Sequence, residues 1–243
     1  MPKFQIKLAD KIIEIVSQYK EVFKLCADYL CEEGKPDMRI VSTREAIAYE
    51  KHRDSESMHA SKAYLETLAI YRAIAERMLE HSTFLMHGSV VAVGKEAFMF
   101  TAASGVGKTT RTNMWLEQIE GSYVVNGDKP LLKVCESGTL ACGTPWSGKE
   151  QLHSNVMVPL RAIVFLERSE RTDLKKISFS EAFVQLLQQT YRPQDPKLMA
   201  KTLGLLKKMG TGIEFYWYYM NLDDMDMRWL YEKIRTGADC TAK

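Results

Sequence analysis

The sequence predicts an α/β chain, a mixed sheet with flanking helices preceded by a small N-terminal α+β region, and three observations carry that expectation. A glycine-rich loop lies between an apolar extended segment and an amphipathic helical one. Several extended segments follow one another directly, which breaks the strict strand-helix alternation of a simple doubly wound sheet. A wide apolar stripe at helical spacing closes the region before the loop.

Each element follows from its residue pattern. Phe4, Ile6 and Leu8, then Ile13 and Ile15, alternate with polar residues around Asp10 and Lys11, so a hairpin is expected. Residues 19–31 place apolar side chains at helical intervals, Gly34 and Pro36 break the pattern, and 38–41 reads as a short strand. Over 61–81, Tyr64, Leu65, Leu68, Ile70, Tyr71, Ile74 and Met78 predict the longest helix. Residues 84–93 and 96–101 read as two strands joined at Gly94 and Lys95, followed by a helix from Lys108 to a stop at Gly121. Further strands are expected at 122–125, 131–134, 139–143 and 160–167, the last carrying the run Ile163, Val164, Phe165, Leu166 of a buried strand. Residues 180–190 and 197–209 read as helices separated by Pro193 and Pro196, 213–220 as an aromatic-rich strand and 227–235 as a closing helix. The chain divides on this reading into an N-terminal α+β region with the long helix, 1–80, and a nucleotide-binding region, 81–243.

Composition narrows the function classes. With 243 residues, 46% hydrophobic and 26% charged, the whole chain should fold around one substantial core. A net charge of +2 from 33 basic and 31 acidic residues makes no electrostatic case for nucleic acid or a membrane surface as partner. Residues 1–8 lack the continuous apolar stretch of a secretion signal, and no run approaches the ~18 apolar residues of a membrane span, so a cytoplasmic location is expected. Five cysteines, Cys26, Cys31, Cys135, Cys142 and Cys240, suit reduced thiols better than a disulfide framework, and none has ligand spacing with a second Cys/His pair. Oligomerisation is left open.

Chemistry concentrates at Ala102 to Thr109, which read Ala-Ala-Ser-Gly-Val-Gly-Lys-Thr. Gly105 and Gly107 permit the partly left-handed path that turns successive N–H groups toward phosphate oxygens. Ser104, Gly105, Val106, Gly107, Lys108, Thr109 and Thr110 form the expected cradle, with Lys108 supplying mobile positive charge and the Thr109 hydroxyl a ligand for Mg²⁺. A flexible turn between strand and helix is the bland alternative. Such a loop calls for a carboxylate at the end of a nearby strand, and Asp128 follows the extended Tyr123, Val124 and Val125. Asn126 and Gly127 before it are equally the residues of a surface turn. His87, before Gly88, reads either as a packed histidine or as a catalytic group. The segment 143–150 is a polar, Gly/Pro-punctuated loop: an ordinary connection, or one whose Lys149 brings charge to phosphates and whose Trp146 offers a flat face to a base or substrate.

Taken together, His87 and Gly88, the Ala-Ala-Ser-Gly-Val-Gly-Lys-Thr loop, residues 125–130 and residues 143–150 resemble the HPr kinase-like family of P-loop proteins. The likeness is specific over 84–167 and looser over 180–234. That family is related in fold to ATP-dependent phosphoenolpyruvate carboxykinase, and the chain looks most like a bacterial subgroup that often accompanies peptide-modification genes. The resemblance implies a kinase-type core in which residues 104–109 bind the phosphates of ATP, Thr109 and Asp128 serve Mg²⁺, and Asp128, Lys108 and His87 serve catalysis. HPr kinases carry two adjacent aspartates where this chain has Gly127 and Asp128, so only the second is matched. Their C-terminal signature is not recognisable here, and HPr itself is not carried over as substrate. The implied activity is ATP-dependent phosphoryl transfer to a hydroxyl, a serine of a peptide or protein. The alternative is a non-catalytic ATP-binding module that regulates or presents a partner.

Overall fold

The computed structural model describes residues 1–53, 59–103, 105–221 and 226–237. The chain opens with the expected hairpin, β1 (Lys3–Leu8) antiparallel to β2 (Lys11–Val16), closed by Ala9 and Asp10 at φ 47° and 65°. Two successive left-handed residues match the twist of the flanking strands. The helix expected over 19–31 is much shorter: α1 (Glu21–Leu25) is followed by a single 3₁₀ turn, Ala27–Tyr29. Its continuation loses to tertiary pairing, because Cys31 N–H donates to Gln5 O and Leu30 bridges Ile6 on β1. β3 (Met38–Val41) then lies parallel to β2. The next helix, α2 (Arg44–Lys51), capped by Thr43, has no sequence expectation behind it, because it buries only Ile47 and Glu50.

α3 (Lys62–Met78) is the longest helix among the described residues, with Ser61 Oγ accepting the Tyr64 N–H at its start. Ile70, Tyr71, Ile74 and Met78 pack on Ile6, Leu8, Ile13 and Ile15 of the small sheet. Leu85, Leu131, Cys142 and Trp146 belong to the same apolar cluster, so packing runs without a break from the first eighty residues into the rest of the chain.

Among the described residues the large sheet has nine strands. Its members are β4 (Thr83–Leu85), β5 (Ser89–Val93), β6 (Glu96–Thr101), β7 (Ser122–Asn126), β8 (Leu131–Cys135), β9 (Gly138–Cys142), β10 (Met157–Arg168), β11 (Asp173–Ile177) and β12 (Glu214–Met220). The order is β4-β8-β9-β10-β6-β5-β7, with β12 also on β10 and β11 on β12. β10 bends this sheet. Residues 157–159 pair antiparallel with β9, the register shifts between Leu160 and Ala162, and the remainder runs parallel to β6 and β12. The strand expected over 84–93 is therefore two strands, because at its middle the His87 N–H bonds Gln189 O and the Gly88 N–H bonds Asp128 O instead of a ladder partner.

Among the described residues four helices cover both faces of this sheet. α5 (Phe179–Gln189) and α6 (Pro196–Met209) pack over Ile163, Phe165 and Phe215. α4 (Lys108–Gln118) and α7 (Met227–Thr236) pack over Phe98, Phe100, Val164, Tyr216 and Tyr218 on the other face. Burial on both faces is why β10 reads as a continuous apolar run. β5 is antiparallel to both β6 and β7, so the C-terminal ends of β6, β7, β10 and β12 share one edge of the sheet. No helix among the described residues is long and apolar enough to cross a membrane.

Candidate functional site

At that edge β6 ends at Thr101, and the chain passes Gly105 (φ 80°) and Gly107 (φ 120°) before α4 begins at Lys108. Both angles lie where only glycine is unstrained, so the path depends on those two residues. Val106 and Gly107 thereby lie in front of the α4 N-terminus, whose unpaired N–H groups and dipole favour an anion. Ser104, part of the expected cradle, lies outside the described residues, as does Cys240. Lys108 turns Nζ back onto Ala102 O at 3.0 Å. Burial lowers its pKa from the ordinary value, and the nearby Asp128 charge works in the opposite direction. Thr109 and Thr110 stand exposed in the first turn of α4.

A second cation reaches the loop from the neighbouring strand. Arg168, the last residue of β10, donates from its guanidinium to Gly105 O at 2.7 Å and to Val106 O at 3.4 Å. No motif in the sequence marks it. Its signal is topological, since β10 is the parallel neighbour of β6 and ends at the same edge.

The carboxylate is aimed by its turn. Asn126, buried at the end of β7, accepts the N–H groups of Asp128 (2.9 Å) and Lys129 (2.7 Å) on Oδ1. Its amide nitrogen donates to the Thr144 carbonyl and hydroxyl at 2.9 and 3.0 Å. The Asn126 turn fixes the backbone that carries the Asp128 side chain. Asp128 Oδ1 lies 3.1 Å from His87 Nε2, and Oδ2 lies 3.2 Å from Lys129 Nζ. Burial opposes ionisation of Asp128, but the His87 hydrogen bond and the Lys129 charge outweigh it and bring the carboxyl down to about 2.

His87 is itself held on three sides. Its Nδ1 lies 3.1 Å from Gln189 Oε1 at the end of α5, its N–H donates to Gln189 O at 2.7 Å, and its carbonyl accepts from Thr101 Oγ1 at 2.9 Å. Gln189, absent from the sequence expectations, therefore links α5 to the His87–Asp128 pair. A cavity of about 370 Å³ opens beside it, walled by Ala102, Ala103, Phe165, Gln185, Gln189 and Trp217.

The segment 143–150 has a packing role. Trp146 is buried, stacked on Tyr71 of α3 with centroids 4.2 Å apart and planes 10° from parallel, and its Nε1–H donates to Thr67 O. It offers no face to a base or substrate, which corrects that expectation. Lys149 lies exposed. Tyr71 donates its hydroxyl to Lys129 O at 2.5 Å, and Thr144 Oγ1 donates to the same carbonyl at 2.9 Å. The long helix of the first eighty residues thus props the residue next to Asp128. Gly127 also has a packing reason: a Cβ there would meet Ser147 O at 2.8 Å and Leu152 O at 3.4 Å. A second aspartate cannot sit beside Asp128 unless the 147–152 backbone moves.

The chain matches no family model and no curated protein. Among solved structures it is similar to the Hpr(Ser) kinase/phosphatase from Coxiella burnetii, at TM-score 0.39 and 9% identity over 63% of this chain and 88% of that one. At that level of likeness the function has to be argued from the geometry of the site itself.

Proposed function

We propose that this chain binds Mg²⁺–ATP at the loop 104–109 and transfers the γ-phosphoryl group to a hydroxyl, a serine of a peptide or protein. The observation that carries the reading is the His87–Asp128 pair at the same sheet edge as the glycine loop and Lys108. Phosphoryl transfer needs positive charge on the phosphate oxygens and an aligned acceptor, and little covalent work from the protein. Lys108 exchanges the Ala102 carbonyl for phosphate oxygens, and the N–H groups of the loop and of the first turn of α4 hold the rest of the polyphosphate. Asp128, ionised at neutral pH, accepts the acceptor's O–H hydrogen bond and aligns its oxygen. A carboxyl held at about 2 is a weak base, so orientation and late proton acceptance are its tasks. His87 keeps the carboxylate in place.

Among the described residues no three His, Cys, Asp or Glu side chains converge as a metal cage. One hydroxyl and one carboxylate are donors of the kind Mg²⁺ takes, since it binds one or two protein oxygens and completes its shell with phosphates and water. The Thr109 hydroxyl and Asp128 would hold it, and it would neutralise charge on the phosphates. A second reading, a non-catalytic ATP-binding module acting on a partner, is favoured by Gly127, which leaves one aspartate where HPr kinases have two.

Calorimetry of Mg²⁺–ATP binding tests the reading. Lys108→Ala should weaken binding by about 1.5–3 kcal/mol, the contribution of a charge-assisted hydrogen bond. Equal affinity in parent and folded variant overturns it.

A further inference from the structure

Arg168 owes its place to the two parallel neighbours of its strand. In the pairing of β10 with β6, Phe165 lies opposite Thr101, the last residue of β6, so Arg168 stands three residues farther along, about 10 Å beyond the end of that strand. The overhang is held from the other side. Arg168 pairs with Met220 on β12, and the Ser169 N–H donates to Met220 O at 2.9 Å. A fixed strand end therefore carries the guanidinium to the level of the glycine loop, where Nη2 donates to Gly105 O at 2.7 Å and Nε to Val106 O at 3.4 Å.

Nε and Nη2 form one edge of the guanidinium, a rigid fork that holds two acceptors at a set separation. Here the acceptors belong to consecutive peptide units, Gly105–Val106 and Val106–Gly107, and both peptide bonds are trans. A trans peptide points its C=O and its N–H in opposite directions. Tying both carbonyls to Arg168 thus turns the N–H groups of Val106 and Gly107 to the other side of the loop. Among the described residues no backbone carbonyl accepts either N–H, so both are available to an anion. Glycine at 105 and 107 permits this path without enforcing it, because glycine has the most backbone freedom to lose on ordering. The fork supplies the missing constraint.

Resting on the phosphoryl-transfer reading above, we infer that Arg168 is a positioning residue for phosphate: it sets the N–H groups of Val106 and Gly107 toward the polyphosphate without touching it. Arg168 stands on the carbonyl side of the loop and the anion on the N–H side, which separates its task from that of Lys108. The donors are then oriented before the nucleotide arrives, and less ordering is left to oppose binding. The positive charge also polarises the two peptide groups it holds, which strengthens their N–H groups as donors.

Calorimetry of Mg²⁺–ATP and Mg²⁺–ADP tests the inference in the parent, in Arg168→Lys, which keeps the charge and loses the fork, and in Arg168→Ala. Melting of each nucleotide-free protein is measured alongside. The backbone of such a loop cradles the α- and β-phosphates, which both nucleotides carry. Both folded variants should therefore lose affinity for ATP and for ADP by the same factor, about tenfold or more, with lysine no substitute for the fork. A loss confined to ATP places the guanidinium on the γ-phosphate instead and overturns the inference. Parent-like affinity in Arg168→Lys overturns it too: an unchanged melting temperature then means that charge alone suffices, and a lowered one that Arg168 serves stability only. Should Arg168→Ala fail to fold, Arg168→Lys decides alone. Failure of the parent to bind either nucleotide is a different result, which sinks the phosphoryl-transfer reading itself and this inference with it.

Discussion

His87 Nε2 lies 3.1 Å from Asp128 Oδ1, although forty-one positions separate the two residues in the chain. The contact exists because β5 and β7 are neighbours, so the residues before one and after the other meet at the same edge. Gly88 N–H donates to Asp128 O at 2.9 Å and fixes the backbones as well as the side chains.

Asp128→Asn keeps the shape of the pair and removes its charge. Transfer should fall by about 10² or more while nucleotide affinity falls much less, if alignment of the acceptor is the main task of the carboxylate. Single-turnover transfer beside Mg²⁺-dependent ATP binding reads both quantities. Equal transfer rates would reduce Asp128 to a turn residue.

The same substitution has a signature in acid stability. A carboxyl held at about 2 in the folded chain, against an ordinary 3.8, contributes stability that is complete above the ordinary value and is lost as pH falls through about 2. Asp128→Asn should therefore be less stable than the parent by on the order of 2 kcal/mol near pH 6, and the gap should close by about pH 2. Urea denaturation of both proteins across that range measures it. A gap independent of pH would show that the ion pair is not its source.

Gly127→Asp restores the first aspartate of the resemblance and should still fail to improve transfer. Its Cβ would enter a space bounded by the Ser147 and Leu152 carbonyls, so a loss of about 1–3 kcal/mol in stability is expected. Thermal melts and transfer rates of the variant decide between packing and missing chemistry. A stable variant with faster transfer would mean that the 147–152 backbone yields.

Trp146→Ala should cost about 3–5 kcal/mol by leaving a cavity against Tyr71, and it should leave Lys108-dependent ATP binding intact in the protein that remains folded. Chemical denaturation gives the first quantity and calorimetry the second. A small stability loss with abolished ATP binding would return Trp146 to a ligand-contacting role.

The glycine loop between β6 and α4 was legible because its physics is local. Gly105 and Gly107 state a backbone path, Lys108 a charge, and the flanking apolar patterns a strand and a helix, all between residues 96 and 118. The hairpin, the long helix α3 and the apolar run of β10 were equally readable, since alternation and helical spacing are short-range signals. The division at residues 84–93 into β4 and β5 was not, because it is imposed by hydrogen bonds to Gln189 and Asp128 that arrive from distant positions. Gln189 and Arg168 reach the site from α5 and β10 only once the sheet is assembled. Trp146 shows the difference most plainly: its sequence allowed either an exposed flat face or a buried anchor, and Tyr71, seventy-five positions earlier, decided for the anchor by covering the ring. Residue type and spacing determined the path of the glycine loop and its place between a strand and a helix. The order of strands in the sheet decided which side chains surround that loop, because long-range pairing has no short-range signature in the sequence.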